Sequence, residues 1–380
     1  MRSNYRPIEE LVIRVDERNT DGSVDTLVGV SIDKCFIKSV ANTVGTDLTK
    51  YKIIRKKDFA VSLMQVSRDQ KIPVAMQMEY DVAIMSPAYP IFRVKDESVI
   101  LPEYLEMWFK RPEFDREASF IAVGGVRGSM PWEEFSRMKL PVPAIEEQKE
   151  IVKNYKAISE RIELKKKIND NLSSTINATF EDFYNTSCNI EGSLSDICNL
   201  SSSKRVFADD YVEDGIPFYR GGEITLKQAG EPISDPLYIS KEHFSLLKEK
   251  YGAPSYGDIL ITAVGTIGNS YLVEDEDFYF KDGNIIWLNK FQNLDYSIFI
   301  YDFMQSSTFR KLLDGICIGS TQTALTIVAL SRLKVYLPES DALRKYAKHS
   351  RHLRSQIQQN QHELLILHEI SKVLLSALSR

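Results

Sequence analysis

Cysteine is scarce in this chain: four residues in 380, at positions 35, 188, 198 and 317. No two of them have metal-ligand spacing, so they read as free thiols. Histidine is almost absent before the end. Only His243 precedes the late group His349, His352, His362 and His368. Serine and cysteine nucleophiles find no local histidine before His243, and a triad would need spatial convergence. The late histidines come without converging cysteines or carboxylates and read as exposed positions on a helix. No apolar run approaches the ~20 residues of a membrane span, and the opening MRSNYRPIEE has no apolar signal core. A cytoplasmic protein with no membrane contact is expected. Its 380 residues leave room for two domains with their own cores.

Motifs of chemistry are missing as well. AVGTIGN at 263–269 tempts as a phosphate cradle but has no Gly-Lys-Ser/Thr ending, so a hairpin or tight turn is the better reading. An amino-methyltransferase needs Asn or Asp before Pro-Pro-aromatic to hold the target amino group. The nearest string, SPAY at 86–89, lacks the acidic or amide residue and the second proline, and no glycine-rich strand-to-helix loop precedes it. No catalytic residue, metal or cofactor is expected in this chain. A basic excess is lacking too: 48 Lys and Arg against 53 Asp and Glu give a net charge of -5. That counts mildly against a nucleic-acid binder acting alone. It leaves room for a basic stripe over an acidic back, with a partner supplying part of any phosphate neutralisation.

What the sequence does contain is itself, twice. SRMKLPVPAIEEQ at 136–148 returns as SRLKVYLPESDAL at 331–343, a shift of 195. Under that shift Gly124 falls on Gly319, Ser136 on Ser331, Arg137 on Arg332, Lys139 on Lys334 and Pro143 on Pro338. Phe92 falls on Trp287, Lys95 on Lys290, Phe114 on Phe309, Lys153 on Lys348 and Ile162 on Ile357. No gap is needed from about 90 to 183. Further upstream the offset slips: Asp58 in KKDFAVSL matches Asp258 in YGDILIT at a shift of 200. The chain reads as two copies of one plan, each a variable front and a similar back.

Each front mixes strands and turns. YDVAIMSPAYPIFRV has β-branched and aromatic runs broken by proline, PEYLEMWFKRPEFDREA has helical spacing, and AVGGVRGSMP is a glycine-rich loop. KLPVP ends a strand, because proline removes a ladder donor. From Ile145 the pattern changes. Ile151, Tyr155, Ile158, Ile162, Lys165, Asn169, Leu172, Ile176, Thr179 and Phe183 step alternately by four and three, a heptad seam. Glu146 and Glu147 suit the positive end of that helix. Adding 195 lands on Tyr346, Ser350, Leu353, Ile357, Asn360, Leu364, Leu367, Ser371, Leu374 and Leu378. Each seam covers 33 residues, or roughly 50 Å of helix. The helices have each other as obvious partners. An antiparallel pair would set polar Lys165, Asn169 and Asn360 near the centre, where such residues fix register. The alternative is that each helix caps its own domain.

The expected fold is thus α+β, with two similar globular domains joined by two long helices in an antiparallel coiled coil, an internal pseudo-twofold repeat. The expected boundaries are 1–143 for the first globular domain, 144–187 for the central spacer helix, 188–338 for the second globular domain and 339–380 for the C-terminal spacer helix. Two separated heads suit a target with two half-sites, and double-stranded DNA is the common one.

The chain resembles the specificity subunit of type I restriction-modification systems over essentially its whole length. The front of the chain carries that look in YRPIEELVIRVDERNTDG, VGVSIDKCFIKS, DLTKYKIIRKKDF, PEYLEMWF and LPVPAIEEQKEIV. The second head carries it in IPFYRGGEI, YGDILITAVGTIGNSYLV and IGSTQTALTIVALSRLKVYLP. One departure is PESDAL, where a PAIEEQ type of helix start is expected, and it leaves the start of the last helix open. The resemblance implies that each head is a target recognition domain reading one half of a split DNA site, with the helices setting the unread gap. It implies docking of two methyltransferase subunits, which bind S-adenosylmethionine and methylate adenine. Addition of an ATP- and Mg-dependent motor and nuclease subunit would give the restriction enzyme. The specificity subunit itself would do no chemistry.

DNA contacts are expected in polar loops, from Lys and Arg to phosphates and from Arg, Asn and Gln to bases. In the first head the candidates are Lys34, Lys38, Arg68, Gln70, Lys71 and Arg127. RDQK at 68–71 is a compact polar tip, and Arg127 lies in GGVRGS, where glycines admit a close backbone approach. In the second head they are Lys204, Arg205, Tyr219, Arg220, Thr321 and Gln322, with YRGG offering an arginine on a glycine turn. Gln322 falls opposite Arg127 under the 195 shift, so one loop position carries an amide in one head and a guanidinium in the other. The plainer reading of each is a solvated surface side chain. Two rival functions stay open: a scaffold gripping two protein copies through the helices and the SRMKL and SRLKV flanks, and a DNA-reading subunit of another phage-defence system.

Overall fold

Runs of β-branched and aromatic residues build the same sheet in both halves of the chain. The computed structural model describes residues 4–39, 45–64, 66–122, 128–317 and 324–378. Contacts divide it into two units, Met1–Glu163 with Ile366–Arg380, and Leu164–Leu365.

In the first unit an antiparallel sheet has the spatial order Val12–Val15, Ile91–Val94, Phe59–Val61, Val74–Met76. Strand side chains alternate between faces, and here both faces are covered. Phe59, Val61 and Phe92 point into an apolar core with the helices Pro102–Phe109, Pro112–Ile121 and Trp132–Arg137. Ala60, Ala75 and Ile91 point the other way, into a smaller core under an outer layer. That layer is a hairpin, Val28–Val30 with Phe36–Lys38, and a ladder, Lys52–Arg55 with Val82–Met85.

The second unit repeats the inner sheet in the order Asn199–Ser201, Ile285–Asn289, Ile259–Thr262, Ser270–Leu272. Ile259, Ile261, Ile286 and Leu288 face the helices Leu294–Gln305, Ser307–Ile316 and Ile327–Ser331. Its outer layer is a different object. A mixed sheet in the order Tyr211–Val212, Leu237–Ile239, Ile216–Tyr219, Tyr279–Phe280 carries the helices Gly221–Ala229 and Lys241–Tyr251. Common inner frames and unlike outer layers are the structural form of similar backs and variable fronts.

The sheets also correct the alignment. The Asp58 carboxylate accepts the Arg55 N–H and the Asp258 carboxylate accepts the Ser255 N–H, each at 2.9 Å. The residue before each aspartate has positive φ, Lys57 at 69° and Gly257 at 86°. The two turns are therefore the same turn at the shift of 200. Phe59 pairs with Phe92 and Ile259 with Leu288, so the counterpart of Phe92 is Leu288 and not Trp287. Trp287 belongs to the core under the outer layer, as Ile91 does. A one-residue slip in a strand moves a side chain to the opposite face, so the ungapped alignment from about 90 fails here. It is regained by Phe114 and Phe309, each buried in the helical core of its unit.

The twice-written SRMKL and SRLKV motif has a local reason. Ser136 Oγ donates to the Glu133 carbonyl at 3.1 Å and Ser331 Oγ to the Val328 carbonyl at 3.0 Å. Each serine closes a short helix before the strand Lys139–Pro141 or Lys334–Pro338.

The central helix, Ile145–Ser187, and the C-terminal helix, Ser340–Ala377, are each continuous. Every seam position of both is buried or half-buried. In the second unit the two run antiparallel: the Phe183 ring stacks on Tyr346 at 4.5 Å, and Asn360 donates to Asn169 at 2.8 Å. Lys165 donates to Asn360 at 2.7 Å and pairs with Glu363 at 2.9 Å. Lys165 and Asn360 are 195 positions apart, so each meets its own repeat counterpart across the seam. The ends of the helices enter the cores. Phe180 and Tyr184 pack in the second unit, and Leu375 and Leu378 pack with Ile151 and Tyr155 in the first. Burying each such side chain is worth about 1.5–3 kcal/mol.

The helix-to-core joint is made differently in the two copies. In the second, buried Asp302 accepts Tyr346 Oη at 2.7 Å, Ser350 Oγ at 2.5 Å and Arg354 Nε at 2.8 Å. Their counterparts under the shift are Met107, Ile151, Tyr155 and Ser159, the first three of which lie in or against the first unit's apolar core. Among the described residues no helix is long and apolar enough to cross a membrane.

The central pair gives a stability test. Asn360→Lys sets a second ammonium against Lys165, at a cost of up to about 4 kcal/mol for charges ~4 Å apart. Thermal unfolding should show a lowered Tm for Asn360→Lys and recovery of most of the loss on adding Lys165→Asn. A swapped variant no more stable than Asn360→Lys would show that the two side chains do not depend on each other.

Candidate nucleic-acid interface

In the first unit the hairpin turn at 31–35 is closed by Ser31 N–H on the Cys35 carbonyl and Lys34 N–H on the Ser31 carbonyl, at 2.9 and 3.0 Å. Lys34 itself has φ 61°, a left-handed conformation uncommon for a residue with a Cβ. Its side chain turns inward. It is 7% exposed, with Nζ 2.8 Å from Asp115 and a further hydrogen bond to the Phe109 carbonyl. Burial pulls its ammonium below the ordinary lysine value, and Asp115 offsets part of that. Lys34 is therefore not an exposed loop cation. Its charge is consumed inside the unit.

The RDQK tip stays outside. Arg68 is exposed on the short helix Val66–Asp69 and pairs with Asp69 at 2.8 Å, which raises its pKa. Gln70 is exposed at φ 51°. Lys71 is exposed and lies 3.8 Å from Asp33 of the hairpin turn. Gly128 lies against the same tip. A Cβ built on it would fall 2.3 Å from Ser67 Oγ, and its φ of 71° favours glycine independently. One edge thus gathers Asp33, Ser67, Arg68, Lys71 and Gly128. Lys38 is exposed at the end of the hairpin. Arg127 lies outside the described residues.

In the second unit the 202–205 segment lies along the end of the strand Tyr279–Phe280. Ser203 Oγ donates to the Phe280 carbonyl at 2.6 Å, and Lys204 N–H to Tyr279 Oη at 3.0 Å. The Lys204 ammonium sits over the Tyr251 ring, 5.5 Å from its centroid. Arg205 is exposed and pairs with Asp282 at 2.9 Å. Arg220 does not sit on a glycine turn: Gly221 begins the helix Gly221–Ala229, and the Arg220 guanidinium folds onto Glu223, which raises its pKa. Tyr219 is not a loop residue either. It is 6% exposed, stacked on Phe278 at 4.7 Å, with its hydroxyl 3.4 Å from Glu276. Burial, then the Glu276 carboxylate, pushes that hydroxyl's pKa up. Thr321 and Gln322 lie outside the described residues.

Lys281 joins this edge unforeseen. Its N–H donates to the Tyr219 carbonyl at 2.9 Å, its side chain is exposed, and it adjoins Asp282. The signal was there in KDGN at 281–284, since Asp-Gly marks a tight turn that presents its neighbours. AVGTIGN forms the turn between the strands Ile259–Thr262 and Ser270–Leu272, closed by Gly268 N–H on the Thr262 carbonyl at 2.9 Å.

A pattern connects the surface cations. Arg68 holds Asp69, Lys71 faces Asp33, Arg205 holds Asp282 and Arg220 holds Glu223. The first three are exposed pairs worth about 0–1 kcal/mol, so an anion can displace the carboxylate at little cost; Glu223 is buried and also accepts the Arg220 N–H, which commits it to the fold. The same carboxylates repel phosphates that are wrongly placed. The second unit's edge belongs to its outer layer; in the first, Asp33 belongs to the outer hairpin, while Arg68 and Lys71 lie on the connection between the inner strands Phe59–Val61 and Val74–Met76, beside that hairpin.

The sequence matches the family described as type I restriction modification DNA specificity domain twice, over residues 42–174 and 190–363. A putative type I restriction enzyme specificity subunit of Haemophilus influenzae is 33% identical over 146 residues. That stretch covers 38% of this chain and 35% of the relative, so the match spans about a third of the relative's length. The crystal structure of a type I restriction-modification system S subunit from M. genitalium superposes with a TM-score of 0.58 at 16% identity, covering 99% of this chain and 96% of that one. The likeness to that structure is one of fold.

Gly128→Ala tests whether the tip depends on the glycine segment. Positive φ and the approach to Ser67 together should cost more than about 1 kcal/mol, measured by thermal unfolding. An unchanged Tm would mean that the segment and the tip do not press on each other.

Proposed function

The chain belongs to the type I restriction-modification DNA specificity family, and on that premise we propose that it is the non-catalytic DNA-reading subunit of such a complex, each head reading one half of a bipartite site. The observation that carries this is one inner frame built twice under two unlike outer layers. A pure protein scaffold with two equivalent grips has no use for outer layers of different sheet arrangement and strand order. Two readers of different half-sites do. Arg205 sits at the second head's outer layer, Arg68 and Lys71 sit beside the first head's outer hairpin, and neighbouring carboxylates hold unspecific affinity down, in keeping with a net charge of -5.

In this reading the paired helices fix the unread gap. Two methyltransferase subunits carrying S-adenosylmethionine dock on the repeated parts and supply the remaining phosphate contacts. A motor and nuclease subunit using ATP and Mg completes a restriction enzyme in the cytoplasm. This chain positions DNA and moves no proton or methyl group.

Co-expression with its partner methyltransferase in a methylation-free host, followed by mapping of modified adenine, tests the reading. Two short fixed blocks around a fixed gap are expected. No modified motif from a folded, assembled complex would contradict it and favour the scaffold.

A further inference from the structure

A buried ion pair in the first unit has no place in contacting DNA, yet it holds the part proposed to do so. Asp115 stands on the helix Pro112–Ile121 of the inner frame. One of its carboxylate oxygens, Oδ1, takes two partners: Lys34 Nζ at 2.8 Å and the Ile72 N–H at 3.1 Å. Lys34 closes the hairpin turn at 31–35, and Ile72 directly follows the exposed residues Gln70 and Lys71. One oxygen therefore ties both arms of the tip to the frame. Between those arms, at the surface, Lys71 faces Asp33 at 3.8 Å.

The chemistry of the joint is unusual for a mere filler. A lysine 7% exposed is desolvated, and an apolar side chain of its length would fill the same space. What the ion pair adds is direction: the ammonium must meet both Asp115 and the Phe109 carbonyl, and that fixes the turn against the frame. The second copy has no such joint at this position, because the repeat counterpart of Asp115 is Arg310, which is exposed on the helix Ser307–Ile316.

We propose that Lys34 and Asp115 are positioning residues for the first head's reading tip, so that they govern discrimination in one DNA half-site and not in the other. This rests on the two-headed DNA reading above. The ligand is duplex DNA, met by Arg68, Gln70 and Lys71, and the buried pair acts through them.

The test uses the full chain assembled with its partner methyltransferase in a methylation-free host. Wild type, Lys34→Met, Asp115→Leu and the double variant are compared by mapping modified adenine. Removing both charges together leaves neither buried alone, so the double variant keeps folding measurable. Sites with a mismatch in one block should gain methylation about tenfold over wild type, the scale of a lost base-pair preference. Mismatches in the other block, and the gap, should be unaffected, and that block serves as the folding control within the same molecule. Unchanged discrimination in both blocks would overturn the proposal, and so would equal loss in both. A wild-type complex giving no two-block motif would overturn the earlier reading first, and this inference with it.

Discussion

Lys165 holds the helix pair in one register. An apolar heptad seam alone can slide by seven residues and still bury its leucines and isoleucines. Lys165 cannot slide, because its acceptors are on Asn360 and Glu363, and the amide of Asn360 is itself committed to Asn169. A slip would leave an ammonium and two amides half-buried without partners, at a cost of about 1–3 kcal/mol for each. With the register set, the right residues arrive at the cores: Phe180 and Tyr184 in one unit, Leu375 and Leu378 in the other. The polar centre is thus less a source of stability than a choice among pairings that would otherwise be nearly equal.

The heads divide the work in a similar way. An inner sheet and its helices carry most of the buried aromatic side chains and are built twice. The turn at Asp58 and Asp258, which leads into the inner sheet, is kept in both heads, while the outer layers are two two-stranded pieces in one and a four-stranded mixed sheet in the other. An outer layer packed on its own small core can change its sheet arrangement without disturbing the frame beneath. On the proposed reading, that separation is what would let one chain hold two specificities. The surface cations follow the same economy of commitment. Arg68 and Arg205 are each held at the surface by a neighbouring carboxylate, weakly enough that the proposed reading can have them released to DNA.

Much of this was legible in the sequence because it is periodic. The structure keeps the heptad steps and the aspartate turns at 200, and it keeps the repeat at 195 from Phe114 onward. The misreadings came where tertiary packing decides. Trp287 aligns with Phe92 by letter, but strand pairing assigns Leu288 to that place. Lys34 and Tyr219 look like loop residues, yet Asp115 draws one inward and Phe278 stacks on the other. No composition rule foretells a lysine with positive φ at the bottom of a hairpin. Lys281 was missed for the opposite reason: a strand end brought it to Tyr219 from 62 positions away.

The central claim is that the paired helices measure a distance while the heads read letters. Deleting one heptad from each helix, in register, and mapping modified adenine in the assembled complex separates the two roles. The account predicts a gap of changed length between two unchanged blocks. Altered blocks around an unchanged gap would contradict it, and the helices would then have to be part of the reading surface.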